Sequence, residues 1–155
     1  MRSRIMVVLA LSLAACARAI DVDDAPALRV GDPNVLSAYV GAWEGRLFRQ
    51  RSDSGVPWTL TQSAGDDGAL SGLLTFDGSP LPPAPAKTVE MRGTTVTLLV
   101  GPYLSPITRD SVVTRAVGSL VGTRFSGTFE SRSLASGKRT SGRFIATRVQ
   151  RTALQ

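Results

Sequence analysis

The chain has 155 residues, a formal charge of +6, 43% hydrophobic residues and no histidine. That length supports one domain with a real core. Lacking histidine, it has neither the commonest general base nor the commonest metal ligand, and Ser-His-Asp and Cys-His catalysis are excluded.

The first 15 residues have the three parts of a secretory signal. Arg2 and Arg4 are the basic start, residues 5–13 are apolar except for Ser12, and Ala14 and Ala15 leave room for a peptidase before Cys16. The apolar run is about half the ~20 residues that a bilayer-spanning helix needs. Leu13-Ala14-Ala15-Cys16 resembles the lipobox of bacterial lipoproteins. The resemblance implies cleavage before Cys16, a diacylglyceryl group on its sulfur and commonly an acyl chain on the new α-amine, with palmitate as the expected label. Two or more acyl chains give stable anchoring in a lipid bilayer. Ala17 rather than Asp follows the cysteine, which implies the outer membrane, facing the periplasm, in a source with two membranes. The alternative is an ordinary cleaved signal with an incidental cysteine. A lone thiol suits lipidation better than an internal bridge, which it cannot form.

Three segments follow: signal peptide 1–15, lipidated N-terminus and flexible tether 16–38, and β-barrel domain 39–151. The tether holds Asp21, Asp23, Asp24, Pro26, Asp32 and Pro33, and about 20 flexible residues span roughly 25 Å. Pro33 can open one helical turn over residues 35–39. From Tyr39 the period becomes two: Tyr39, Gly41, Trp43, Gly45 and Leu47 alternate with Glu44 and Arg46, predicting a half-buried strand. After Gly55-Val56-Pro57, Trp58 and Leu60 alternate with Thr59 and Thr61. Gly65-Asp66-Asp67-Gly68 is a turn. Leu70, Gly72, Leu74 and Phe76 make the inward set of a third strand.

Residues 77–86 carry Pro80, Pro82, Pro83 and Pro85 and read as a loop. Strands are predicted over 87–92 and 94–100, divided at Gly93, and residues 101–110 read as a second long loop. The last three strands fall over 111–117, 124–132 and 140–149. Ser71-Gly72, Ser126-Gly127 and Ser141-Gly142 each precede, after one more residue, a large apolar side chain. Glycine recurring on an inward face suits a small, tightly curved barrel; chance in a Ser- and Gly-rich chain is the duller account.

Eight short strands with regular turns predict an all-β fold, an eight-stranded antiparallel up-and-down barrel. Both long loops fall at one end, so that end should be open and the end where the tether enters closed. Gly41-Ala42-Trp43 resembles the Gly-x-Trp start of lipocalins, and residues 67–72 resemble the second hairpin of avidin-type barrels. The lipocalin resemblance implies that Trp43 plugs the base and that an arginine of the last strand, Arg148 or else Arg143, stacks on it. With only Trp43 and Trp58 present, biotin binding does not carry over.

The sequence has no nucleophile elbow, Ser-x-x-Lys pair or phosphate loop, and the chain reads as non-enzymatic, without metal or cofactor. Glu44 and Glu130 fit by type a glycosidase pair on neighbouring strands but fall on outward faces. Asp66 and Asp67 are turn formers before they are calcium ligands. From Arg109 to Gln155 there are nine basic and two acidic residues, against seven and ten from Cys16 to Thr108. This basic half fits solvated outward positions, or else anionic headgroups or an acidic partner; no nucleic-acid-binding motif accompanies it.

Two functions remain. In the first, the barrel binds a small apolar ligand, with Trp58, Leu60, Leu74, Leu98 and Phe129 as the candidate lining unless they simply fill the core. In the second, the chain is a structural or assembly subunit docking on an envelope or membrane protein complex through loop 101–110, whose Tyr103, Leu104 and Ile107 otherwise form a lid. An apolar cavity of several hundred Å³ opening at the mouth would favour the first; a solid core with a projecting loop would favour the second.

Overall fold

The computed structural model describes residues 37–50, 52, 54–65 and 69–149. The signal segment, the lipobox with Cys16, most of the tether, and Asp66 and Asp67 lie outside the described residues. Eight strands follow in order: β1 (Gly41–Arg49), β2 (Val56–Ala64), β3 (Leu70–Phe76), β4 (Ala84–Arg92), β5 (Thr95–Leu104), β6 (Ser111–Val121), β7 (Arg124–Ser133) and β8 (Arg139–Arg148). Each pairs antiparallel with the next, and β8 pairs back onto β1, so the sheet closes on itself. The fold is the expected up-and-down barrel, with no free sheet edge.

The period-two pattern explains which side chains fill it. Trp43 on β1, Trp58 and Leu60 on β2, Leu70, Leu74 and Phe76 on β3, and Phe144 and Ala146 on β8 are all buried, while their chain neighbours Glu44, Thr61, Ser71 and Arg143 are exposed. Four aromatic rings form a continuous file through this core. Trp43 meets Phe125 at 5.9 Å, Phe125 meets Phe144 at 5.0 Å, and Phe144 meets Trp58 at 6.3 Å.

Strand limits differ most from the sequence reading in three places. β4 begins at Ala84, inside the segment read as a proline loop. Pro85 pairs with Leu73 of β3 but precedes the β4–β5 ladder, which starts at Ala86; at the rim a missing donor is tolerated. β5 runs on to Leu104, through the first residues of the segment read as the second loop. An irregularity between Val100 and Tyr103, with Gly101 at φ 111°, lets the strand continue. β6 extends to Val121 because its ladder with β7 continues to Val121↔Arg124.

The repeated Ser-Gly pairs have a geometric cause. A Cβ on Gly72 would lie 2.5 Å from the Thr61 carbonyl oxygen, on Gly127 2.0 Å from that of Val117, and on Gly142 2.1 Å from that of Phe48. Each contact is to the backbone of the neighbouring strand, where curvature brings it too close for any side chain.

The entry end is plugged. Residues 37–39 form a helical turn, and Trp43 Nε1 donates to the Tyr39 carbonyl oxygen at 3.1 Å. The Arg148 guanidinium lies over the Trp43 ring, 6.0 Å from its centroid, and donates to the carbonyl oxygens of Ser37 and Val40. Of the two arginines weighed from the sequence, Arg148 takes this position. Arg143 stacks on Phe48 outside, at 4.7 Å.

Candidate functional site

At the end opposite the Trp43 plug, the barrel holds a cavity of about 40 Å³ bordered by Leu47, Trp58, Leu74, Phe129 and Phe144, among others. Its position follows from the pattern that makes the core. β1, β3, β7 and β8 each send one large inward side chain to this level, β2 sends Trp58 and Leu60, β5 sends Val100 and Tyr103, and the small Thr114 and Ala116 on β6 leave the remainder unfilled.

Two polar features lie among the side chains of this lining. Trp58 is 3% exposed, and its Nε1–H is buried without a hydrogen-bond partner. An orphaned buried donor costs roughly 1–3 kcal/mol. On another side, Tyr103 Oη and Thr114 Oγ1 are 2.8 Å apart, and Thr114 Oγ1 and Ser131 Oγ 2.6 Å apart, a chain of three hydroxyls. Burial pushes the Tyr103 phenol above its ordinary pKa, with the bonds to Thr114 and Ser131 acting in the opposite sense. The phenol is therefore neutral near pH 7 and able to donate or accept.

A turn over residues 105–110 roofs this end. Ser105 Oγ accepts from the backbone N–H groups of Ile107 (3.2 Å) and Thr108 (3.3 Å). Arg109 N–H donates to the Ser105 carbonyl oxygen at 2.8 Å, with Arg109 in the left-handed region at φ 58°. Pro106, Ile107 and Thr108 border a gap of about 10 Å³ against Phe76, Tyr103 and Phe129. The turn is folded over the mouth as a lid; Leu104, at its start, faces outward.

Of the five side chains predicted to line a ligand site, Trp58, Leu60, Leu74 and Phe129 border the cavity. Leu98 lies in the core but does not border it, because the β5 side of the cavity is formed by Val100 and Tyr103 further along the strand. Tyr103 and Thr114 also border it, and the sequence does not announce either. The prolines around Tyr103 read as a loop, and a threonine inside an apolar strand signals nothing by itself; only register brings it to Tyr103. The cavity is an order of magnitude smaller than the several hundred Å³ set as the mark of a ready ligand site. Glu44 and Glu130 are both exposed and lie on β1 and β7, separated by β8, so they are not on neighbouring strands. Glu130 instead pairs with Arg139 at 3.2 Å. Among the described residues, no group of three or more metal-ligating side chains is found.

No protein-family model and no curated protein sequence matches the chain. Solved structures do. One described as EF1p2_mFAP2b bound to DFHBI superposes with a TM-score of 0.59 at 11% identity, over 74% of this chain and 97% of that one. A redesigned beta barrel, b11L5F_LGL, superposes with a TM-score of 0.53 at 13% identity, over 75% and 96%. At these identities the likeness is one of fold: the chain shares the architecture of small closed β-barrels.

Proposed function

We propose that this protein is an exported lipoprotein, anchored through acylated Cys16, whose barrel binds a small, largely apolar ligand beneath the 105–110 lid. It acts by binding, without catalysis. The observation that carries the reading is the orphaned Trp58 Nε1–H on a mostly apolar cavity: a ligand acceptor there would satisfy a donor that the protein leaves unmatched. The hydroxyl chain of Tyr103, Thr114 and Ser131 offers a second polar contact. A cavity of 40 Å³ holds a water or two, whereas small-molecule sites run to about 300–1,000 Å³. Ligand entry therefore requires the lid to lift and Phe129 or Leu47 to turn aside. The similar barrel bound to DFHBI supports the idea that this architecture accommodates a ligand.

The small cavity also favours a second reading, a structural or assembly subunit on an envelope complex, with the barrel as a solid support. Native mass spectrometry of protein purified from its own envelope separates the two. A co-purified small molecule supports the first; a bound protein with an empty barrel supports the second. The anchor has its own test: palmitate labelling should be abolished in Cys16→Ser and processing blocked by globomycin. A labelled Cys16→Ser variant refutes the assignment.

A further inference from the structure

Strands β2, β3 and β5 carry no charged side chain, whereas β6, β7 and β8 together carry six arginines. The basic half of the sequence thus becomes one flank of the barrel. Around Arg49, at the mouth end of this flank, three hollows meet. The largest, about 620 Å³, is bordered by Arg49, Arg115, Arg143, Thr128 and Ser141. A second, about 450 Å³, is bordered by Arg49, Lys138 and Arg139. The third, about 230 Å³, runs from Arg49 and Lys138 to the lid, where the Thr108 hydroxyl is buried and without a partner.

We propose that this rim, centred on Arg49, binds a phosphate-bearing polar ligand of the sugar-phosphate class. The electrostatic balance is positive. Of the two carboxylates among the described lining residues, Glu130 is tied to Arg139 and Asp110 sits at the lid side. Arg49 and Arg115 have no ion pair among the described residues. Arg143 is held by its stack on Phe48, so its fork is presented with little ordering cost. Arg115 lies opposite Glu130, and Glu130 opposite Ser141, two residues from Arg143. Strand spacing and rise put the Arg115 and Arg143 backbones roughly 12 Å apart, close enough for both side chains to reach one ligand. Guanidinium forks match phosphate oxygens in pairs, and the hydroxyls of Thr128, Ser141 and Thr140 suit a sugar. The chain enters the barrel at the other end, beside Arg148; on the anchored reading proposed above, the rim is the end farther from the point of attachment, which favours a soluble phosphate ester over a lipid headgroup.

The test is calorimetric titration of the purified protein with glucose 1-phosphate, with glucose, and with inorganic phosphate. Both phosphates should bind and glucose should not. Arg49→Gln and Arg115→Gln should each weaken binding about tenfold, as for loss of one charge-assisted contact. Arg124→Gln, an equal charge loss at the far end of the flank, should change it by less than about twofold. All are surface changes, and thermal melting checks that the fold is retained. Equal losses in Arg49→Gln and Arg124→Gln, or no phosphate binding, overturn the site. Arg49-dependent flotation with vesicles of equal parts phosphatidylglycerol and phosphatidylcholine, without glucose 1-phosphate binding, overturns the ligand class in favour of a headgroup.

Discussion

Replacing Gly127 by alanine tests whether curvature, rather than composition, demands glycine on β7. An ideal Cβ at Gly127 would sit 2.0 Å from the Val117 carbonyl oxygen and 2.5 Å from the Gly118 Cα. Neither obstacle is a side chain that can rotate away, so β6 and β7 would have to separate. Overpacking costs typically about 1–3 kcal/mol, and a backbone obstacle belongs at the upper end. Lower chain entropy in the unfolded state returns only about 0.4–1 kcal/mol. The control is Gly122→Ala in the β6–β7 turn, where nothing lies within 4 Å and only the positive φ of 60° opposes a side chain, at a cost of about 1–2 kcal/mol. For a domain of this size 1 kcal/mol moves the melting temperature by roughly 4 °C. Gly127→Ala should therefore melt roughly 10 °C below the parent, and Gly122→Ala by about half that. Circular dichroism melts and urea titrations measure both. A Gly127→Ala protein as stable as Gly122→Ala would refute the close approach of β6 to β7.

Arg148→Ala removes the cation over Trp43 and two donated hydrogen bonds, to Ser37 in the helical turn and to Val40 just after it. Partly exposed charge-assisted contacts of this kind contribute about 1–2 kcal/mol together, and Trp43 emission in a Trp58→Phe background should shift toward the red. Alkaline titration should expose the two tyrosines: burial raises the pKa of Tyr39 and of Tyr103 above the ordinary value of 10.0. Above that pH the unfolded chain gives up phenolic protons that the folded chain keeps. Stability is thus full below about pH 10 and falls as pH rises beyond it, and phenolate absorbance should rise together with unfolding. Ile107→Asp sets a carboxylate under the lid against Phe76 and Phe129. Amide exchange at residues 105–110 should accelerate while the β1–β8 ladder stays protected; uniform acceleration would mean that the lid does not open independently.

The strand count, the barrel and the inward faces were legible because alternation carries them: Trp58, Leu60, Leu74 and Phe129 could be assigned to the interior from neighbours two positions away. The same argument placed Trp43 and Arg148 together only with the help of a resemblance, because nothing local links residues at opposite ends of the domain. What could not be read depends on register. Thr114 is an ordinary strand residue until pairing brings it to Tyr103 and Ser131. Pro85 and Pro102 disguised the ends of β4 and β5, since a proline marks a loop unless the ladder happens not to need its donor. The cavity's size was beyond sequence reasoning altogether; it is a small remainder after large side chains have packed.

The seam between β1 and β8 sets the order in which the molecule can come into being. Arg148 reaches a carbonyl 111 positions earlier in the chain, and the edge of β1 that faces away from β2 has no partner until β8 has been synthesised. A ribosome-bound fragment ending before residue 139 would expose two raw edges and an open core. The closed state is therefore reached only after β8 has left the ribosome, and until then the nascent barrel stays open along one seam.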